Sequence, residues 1–163
     1  MLLLLRLQDL GVAAAMVPLV WAGLHVIRSL VSYPGGWLTD RLGPRRLVTA
    51  GGLAFAAGAA ALAGADNAVR GVGVFLAMGL VAGLMEPAER SLVARLAPRR
   101  TGRGFGAYHA LTGFAALPAA LLFGAVYQRE GGATALLLSA GLMVVATIFW
   151  WPAMGMASDR GGP

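Results

Sequence analysis

The sequence has no cysteine, no lysine and only two histidines. Without cysteine there is neither a disulfide framework nor a thiolate metal site. Charge is scarce as well: Asp, Glu, Lys and Arg make up 12% of 163 residues, about half their share of roughly 25% in soluble domains. No Gly-x-Ser-x-Gly, no His-Glu-x-x-His and no clustered acidic set occurs, so the usual signatures of hydrolases and metal-dependent enzymes are missing. An intramembrane Ser–His pair drawn from Ser29, Ser32, Ser91, His25 and His109 lacks any such setting. No enzyme activity, metal or cofactor is expected.

What fills the space is apolar: 58% of residues are hydrophobic and the mean hydropathy is +0.74. These values fit a chain whose solvent is lipid. A hydrocarbon core about 30 Å thick takes roughly 20 apolar residues per helix, which leaves room for about five spans. The expectation is an all-α integral membrane protein forming a single domain over 1–163. Its spans fall at about 13–38, 47–64, 72–96, 105–127 and 133–151. Residues 1–10 look like the end of a preceding helix, and 152–163, with polar Ser158–Pro163, form a tail. Pro118 is expected to kink the fourth span.

All thirteen basic residues are arginine and the net charge is +6. Nucleic-acid binding is not expected, because the arginines sit in short turns rather than on a continuous basic face. Arg41, Arg45, Arg46, Arg95, Arg99, Arg100, Arg103 and Arg160 fall on one side of the predicted spans, and Arg6, Arg70 and Arg129 on the other. The positive-inside rule makes the first side cytoplasmic, with the N-terminus outside and the C-terminus inside an inner (plasma) membrane. Trp150 and Trp151 fit an interfacial belt near the cytoplasmic end.

The densest turn is Gly36-Trp-Leu-Thr-Asp-Arg-Leu-Gly-Pro-Arg-Arg46, expected to join the first two spans. Gly36 and Gly43 suit close approach and positive φ. Asp40 can cap a neighbouring helix N-terminus or pair with Arg41, Arg45 or Arg46. A second basic turn is expected at Ala97–Gly104, and further turns at Gly64–Asn67 and Gln128–Gly132.

Charges within spans are costly, about 2.5–3.5 kcal/mol each on insertion scales, and so are paired or functional. Glu86 and Arg90 stand i, i+4 in the favourable order. Glu86 is either a cavity-facing carboxylate that couples protons or binds a cation, or half of a gate-side salt bridge with Arg90, tied to Asp40. Glu89 lies nearer the interface. His25 and Arg28 are expected to share a face of the first span. Arg28 either snorkels or binds an anion. His25 and His109 are proton carriers or buried, hydrogen-bonded histidines. With Tyr108, these polar residues fall in the cytoplasmic half of three spans, where an inner gate would be.

The Gly36–Arg46 turn resembles the signature loop of the major facilitator superfamily, roughly Gly-x-Leu-x-Asp-Arg-x-Gly-Arg-Arg. Gly36, Leu38, Asp40, Arg41, Gly43, Arg45 and Arg46 match. Pro44 departs, shifting the basic pair by one place. Ser32–Gly36, Glu86-Pro-Ala-Glu-Arg90 and Leu96–Tyr108 resemble features of helices eight, ten and eleven of such transporters. The resemblance implies the C-terminal half of that fold, from the end of helix seven through helix twelve. It also implies that the loop latches the two halves in one state; otherwise it is a plain topogenic turn. The function implied is secondary active transport of an unspecified small solute by alternating access, with proton coupling expected and efflux or uptake both open. The chain is then a fragment whose partners are the bilayer and a missing N-terminal half. The alternative is a free-standing half-size membrane protein that pairs with itself or another half.

Overall fold

A computed structural model of the chain describes residues 2–159, with side chains to 152. Every element among the described residues is helical. α1 is Leu2–Asp9; a single 3-10 turn, Ala14–Met16, leads into α2, Val17–Leu42; α3 is Pro44–Ala63 and α4 is Ala68–Leu96. The last helical stretch, Thr101–Asp159, is broken at Gly131, whose φ of +86° and ψ of 169° are far from helical. It is therefore two helices, α5 (101–130) and α6 (132–159). Four stretches are long and apolar enough to cross a membrane, and the last of them, Thr101–Pro152, carries this break. The 20 residues of α3 rise about 30 Å, the thickness of a hydrocarbon core.

The turns are tighter than expected. Between α2 and α3 the break is Gly43 alone, at φ +82°. Gly36 and Asp40 belong to α2, and Gly36 has no close neighbour. A glycine with positive φ followed by proline at the first helical position is enough to reverse the chain, so the expected longer turn is not needed. The second basic turn likewise shrinks to residues 97–100, and the turn at 128–132 shrinks to Gly131. Pro118 lies inside α5 without ending it. Residues 152–159, expected as tail, continue α6, while Arg160 and the end of the polar tail lie outside the described residues.

Small residues set the packing. A Cβ on Gly83 would stand 2.6 Å from the Arg28 carbonyl oxygen, one on Gly35 2.7 Å from that of Gly83, and one on Gly79 2.9 Å from that of Leu24. α2 and α4 therefore touch backbone to backbone, the contact that stabilises helix pairs in lipid. α3 packs between α4 and α6, with Gly58 against Met78 and Gly52 against Thr147. Ala56, Ala59 and Ala140 form one buried cluster. Leu7, Leu62, Phe75 and Leu136 form a second, at the end where α3 finishes and α4 begins.

This end is tied by α1. Arg6 donates to the Ala63 and Ala65 carbonyls at 3.1 Å each, and Tyr127 donates to Asp9. At the other end, Arg45 donates to the Trp151 carbonyl and lies 4.2 Å over its ring, which closes α3 onto α6. Helix α5 differs from the rest: every residue from 109 to 118 is exposed. Apolar Leu30, Ile148 and Phe149 are all more than 60% exposed, as they would be against lipid tails.

Candidate functional site: a charged cavity between three helices

The space between α2, α4 and α5 is a cavity of about 820 Å³, with Phe55 of α3 and Met143 of α6 reaching it from behind. Its floor lies towards the Gly43 end and holds the intramembrane charges. Two helices supply them because the α2–α4 glycine seam lets side chains on adjacent faces meet. Arg28 of α2 places Nε 2.8 Å and Nη2 2.6 Å from Oε2 of Glu86. Arg90, one turn further along α4, donates to Oε1 of the same carboxylate. One carboxylate thus holds two guanidinium groups, using both oxygens. Such charge-assisted contacts are the strong kind. The Arg28 and Glu86 side chains are 36% and 24% exposed, whereas Arg90 is 70% exposed.

Glu89 sits beside this triad and has a different partner. Tyr108 of α5 donates to its Oε2 at 3.2 Å. This hydrogen bond joins α5 to α4, and Gly104 lies close to Ala97, in the turn between them. His109 lines the same cavity, its ring meeting that of Tyr108 edge-on at 5.2 Å.

Arg28, Glu86, Arg90, Tyr108 and His109 are brought together around one space. His25 is not among them: its ring meets that of Trp21 at a tilt of 56° with centroids 4.1 Å apart, away from the lining. His25 and Arg28 stand one turn apart on the same side of α2, but only Arg28 reaches the cavity lining. Neither histidine is buried; His109 is exposed, and among the described residues neither imidazole ring makes a hydrogen bond, the Thr112 hydroxyl reaching only the backbone carbonyl of His109.

The residues of the Gly36–Arg46 stretch also fall differently from expectation. Asp40 is exposed, and among the described residues it makes no ion pair. It does not cap α3, whose cap position is Gly43 with no side-chain bond. Its neighbours are engaged elsewhere: Arg41 lies 4.0 Å over the Trp37 ring, and Arg45 is on Trp151. Asp40 instead lines a second cavity of about 610 Å³ with Trp37, Tyr33 and Arg90. Glu86 and Arg90 line both cavities and form the wall between them.

Sequence reasoning missed the Arg28–Glu86 pair, the Glu89–Tyr108 bond and the glycine seam. The spacing of Gly79 and Gly83 was the available signal for the seam.

Apolar helices long enough to span a bilayer, surrounding a cavity with paired charges, define a multi-pass membrane protein. A family model described as Major Facilitator Superfamily matches residues 1–159. The chain belongs to that superfamily, whose members carry solutes across membranes and are not a class of enzyme. No curated protein and no solved structure matches the chain.

Proposed function

We propose that this chain is the C-terminal half of a proton-coupled secondary transporter that works by alternating access, with the cavity between α2, α4 and α5 as its part of the solute path. The observation that carries this reading is the placement of the charges. The Arg28–Glu86–Arg90 triad and Glu89 lie inside apolar helices yet face a space large enough for a small solute. Intramembrane ionisable groups facing a cavity are the mark of a solute or ion pathway. The cavity is walled on one side by α5, which touches the bundle mainly through its ends. Exposed Leu111, Phe114, Leu117 and Leu121 give α5 an apolar face on which a second unit can pack.

The Arg-rich end, with Gly43 and residues 97–100, then faces the cytoplasm of an inner or plasma membrane. Glu86 and Arg90, between the central cavity and the Asp40 cavity, form an inner gate. Transporters of this architecture hold their solute between two repeats that rock about it, so one half does not transport by itself. The chain expressed alone in a bacterial host should leave solute accumulation unchanged across a panel. Co-expression with a matching six-helix N-terminal unit should change it. A correctly inserted, stable complex that carries nothing would count against the reading. An in-frame run of six or seven further spans upstream of the Met1 codon would support it.

A further inference from the structure

We propose that Glu89 anchors a site for a lipophilic organic monocation in the cavity between α4 and α5. This assignment deepens the transporter reading of that cavity and rests on it.

The charges divide unequally. Both arginines of the cluster are engaged with Glu86, Arg28 through two nitrogens on one oxygen and Arg90 on the other. Arg90 is also the most exposed member and lies towards the Gly43 end, where water screens it. Among the described residues, Glu89 has no ion-pair partner. Its one hydrogen bond comes from a neutral phenol, that of Tyr108. Inside a membrane bundle a carboxylate that no guanidinium contacts directly is the one best placed to take a cation. His109 is the remaining titratable neighbour on α5, and neither α3 nor α6 brings a charge to the lining.

The rest of the wall selects the kind of cation. Phe55, Phe105 and Tyr108 supply aromatic surface, and Met78, Met85 and Met143 supply adaptable thioether surface. Aromatic faces attract cations, most strongly when these are desolvated. Methionines repack around irregular apolar shapes. At about 820 Å³ the cavity lies in the range of small-molecule sites, which combine an apolar wall with a few placed polar groups. A small hydrated ion would find one carboxylate outside the Arg28–Glu86–Arg90 cluster and few other oxygens. A bulky organic cation finds a wall it can wet and, in Glu89, one carboxylate without a guanidinium partner to orient it.

Tetraphenylphosphonium and tetraphenylborate have nearly the same shape and opposite charge, so they separate charge recognition from apolar binding. Equilibrium dialysis of each against the purified chain in neutral detergent, corrected for protein-free micelles, tests the assignment. The phosphonium should bind tighter than the borate, and Glu89→Gln should weaken phosphonium binding by about tenfold or more. The same variant should leave borate binding undiminished, which shows that it is folded. Glu130→Gln, at the far end of α5, should leave both affinities as they are. Equal affinity for the two ions, tighter binding of the borate, or phosphonium binding unaltered by Glu89→Gln would overturn the assignment; the cavity would then serve as an anion site or as the seat of an apolar helix. Charge-selective, Glu89-dependent binding by a chain whose completed complex transports nothing would count against the transporter reading alone.

Discussion

Replacing Glu86 by glutamine removes the one carboxylate that two arginines share, and the two losses should differ in size. Breaking a fully buried ion pair costs about 3–5 kcal/mol, because a charge is left without a partner. Exposed pairs are worth about 0.2–1 kcal/mol. The Arg28 and Glu86 side chains are 36% and 24% exposed and make a two-nitrogen contact, which places their coupling between these limits, at about 1–2 kcal/mol. Arg90 is 70% exposed and lies one turn away on the same helix, so its coupling to Glu86 should be about 0.3–0.5 kcal/mol. Two double-mutant cycles read these terms directly: Arg28→Gln with Glu86→Gln, and Arg90→Gln with Glu86→Gln. Unfolding in mixed micelles followed by circular dichroism supplies the free energies. The reasoning fails if the Arg90 cycle gives the larger coupling, or if the Arg28 cycle gives none.

Two further substitutions probe the frame that holds the site. Gly83→Ala drives a Cβ to 2.6 Å from the Arg28 carbonyl oxygen, and should destabilise the bundle by about 1–3 kcal/mol in the same unfolding assay. Gly113→Ala, on the exposed run of α5 with nothing within 4 Å, should be neutral or stabilising by about 0.5–1 kcal/mol. Asn67 accepts the Arg70 backbone N–H at 2.9 Å as the N-cap of α4. Asn67→Ala should cost about 1 kcal/mol, and amide exchange should quicken in the first turn of α4 before it changes near Glu86.

Composition and hydropathy were enough to read an all-helical membrane bundle, because lipid solvation demands long apolar runs whatever the packing. The Glu86–Arg90 pair was legible for a similar reason: i, i+4 contacts depend only on helix geometry. Turn lengths were less legible. Gly, Pro and Arg cluster over Gly36–Arg46, but a single positive-φ glycine before a proline reverses the chain, and the residues before it stay helical. Asp40 accordingly lost the partners that a longer turn would have given it. The contacts between helices were the least legible. Arg28 meets Glu86 only because Gly35, Gly79 and Gly83 bring two backbones together, and no local pattern announces which helices will be neighbours. Glu89 was seen as an interfacial charge, and its distinctive feature is a matter of what α5 places opposite it.

The central claim is that a water-accessible cavity carrying paired charges lies inside this membrane bundle between α2, α4 and α5. The natural absence of cysteine allows single cysteines to be introduced without background. Ala82, Val93 and Thr112 line the cavity, whereas Leu30 and Ile148 lie on the outer surface at 73% and 63% exposure. Labelling of each single-cysteine chain in membranes with a charged, impermeant thiol reagent, applied from the Arg-rich side, is the direct measurement. The account predicts labelling at the three cavity positions and none at the two outer ones. Equal reactivity at all five, or silence at the cavity positions, would contradict it.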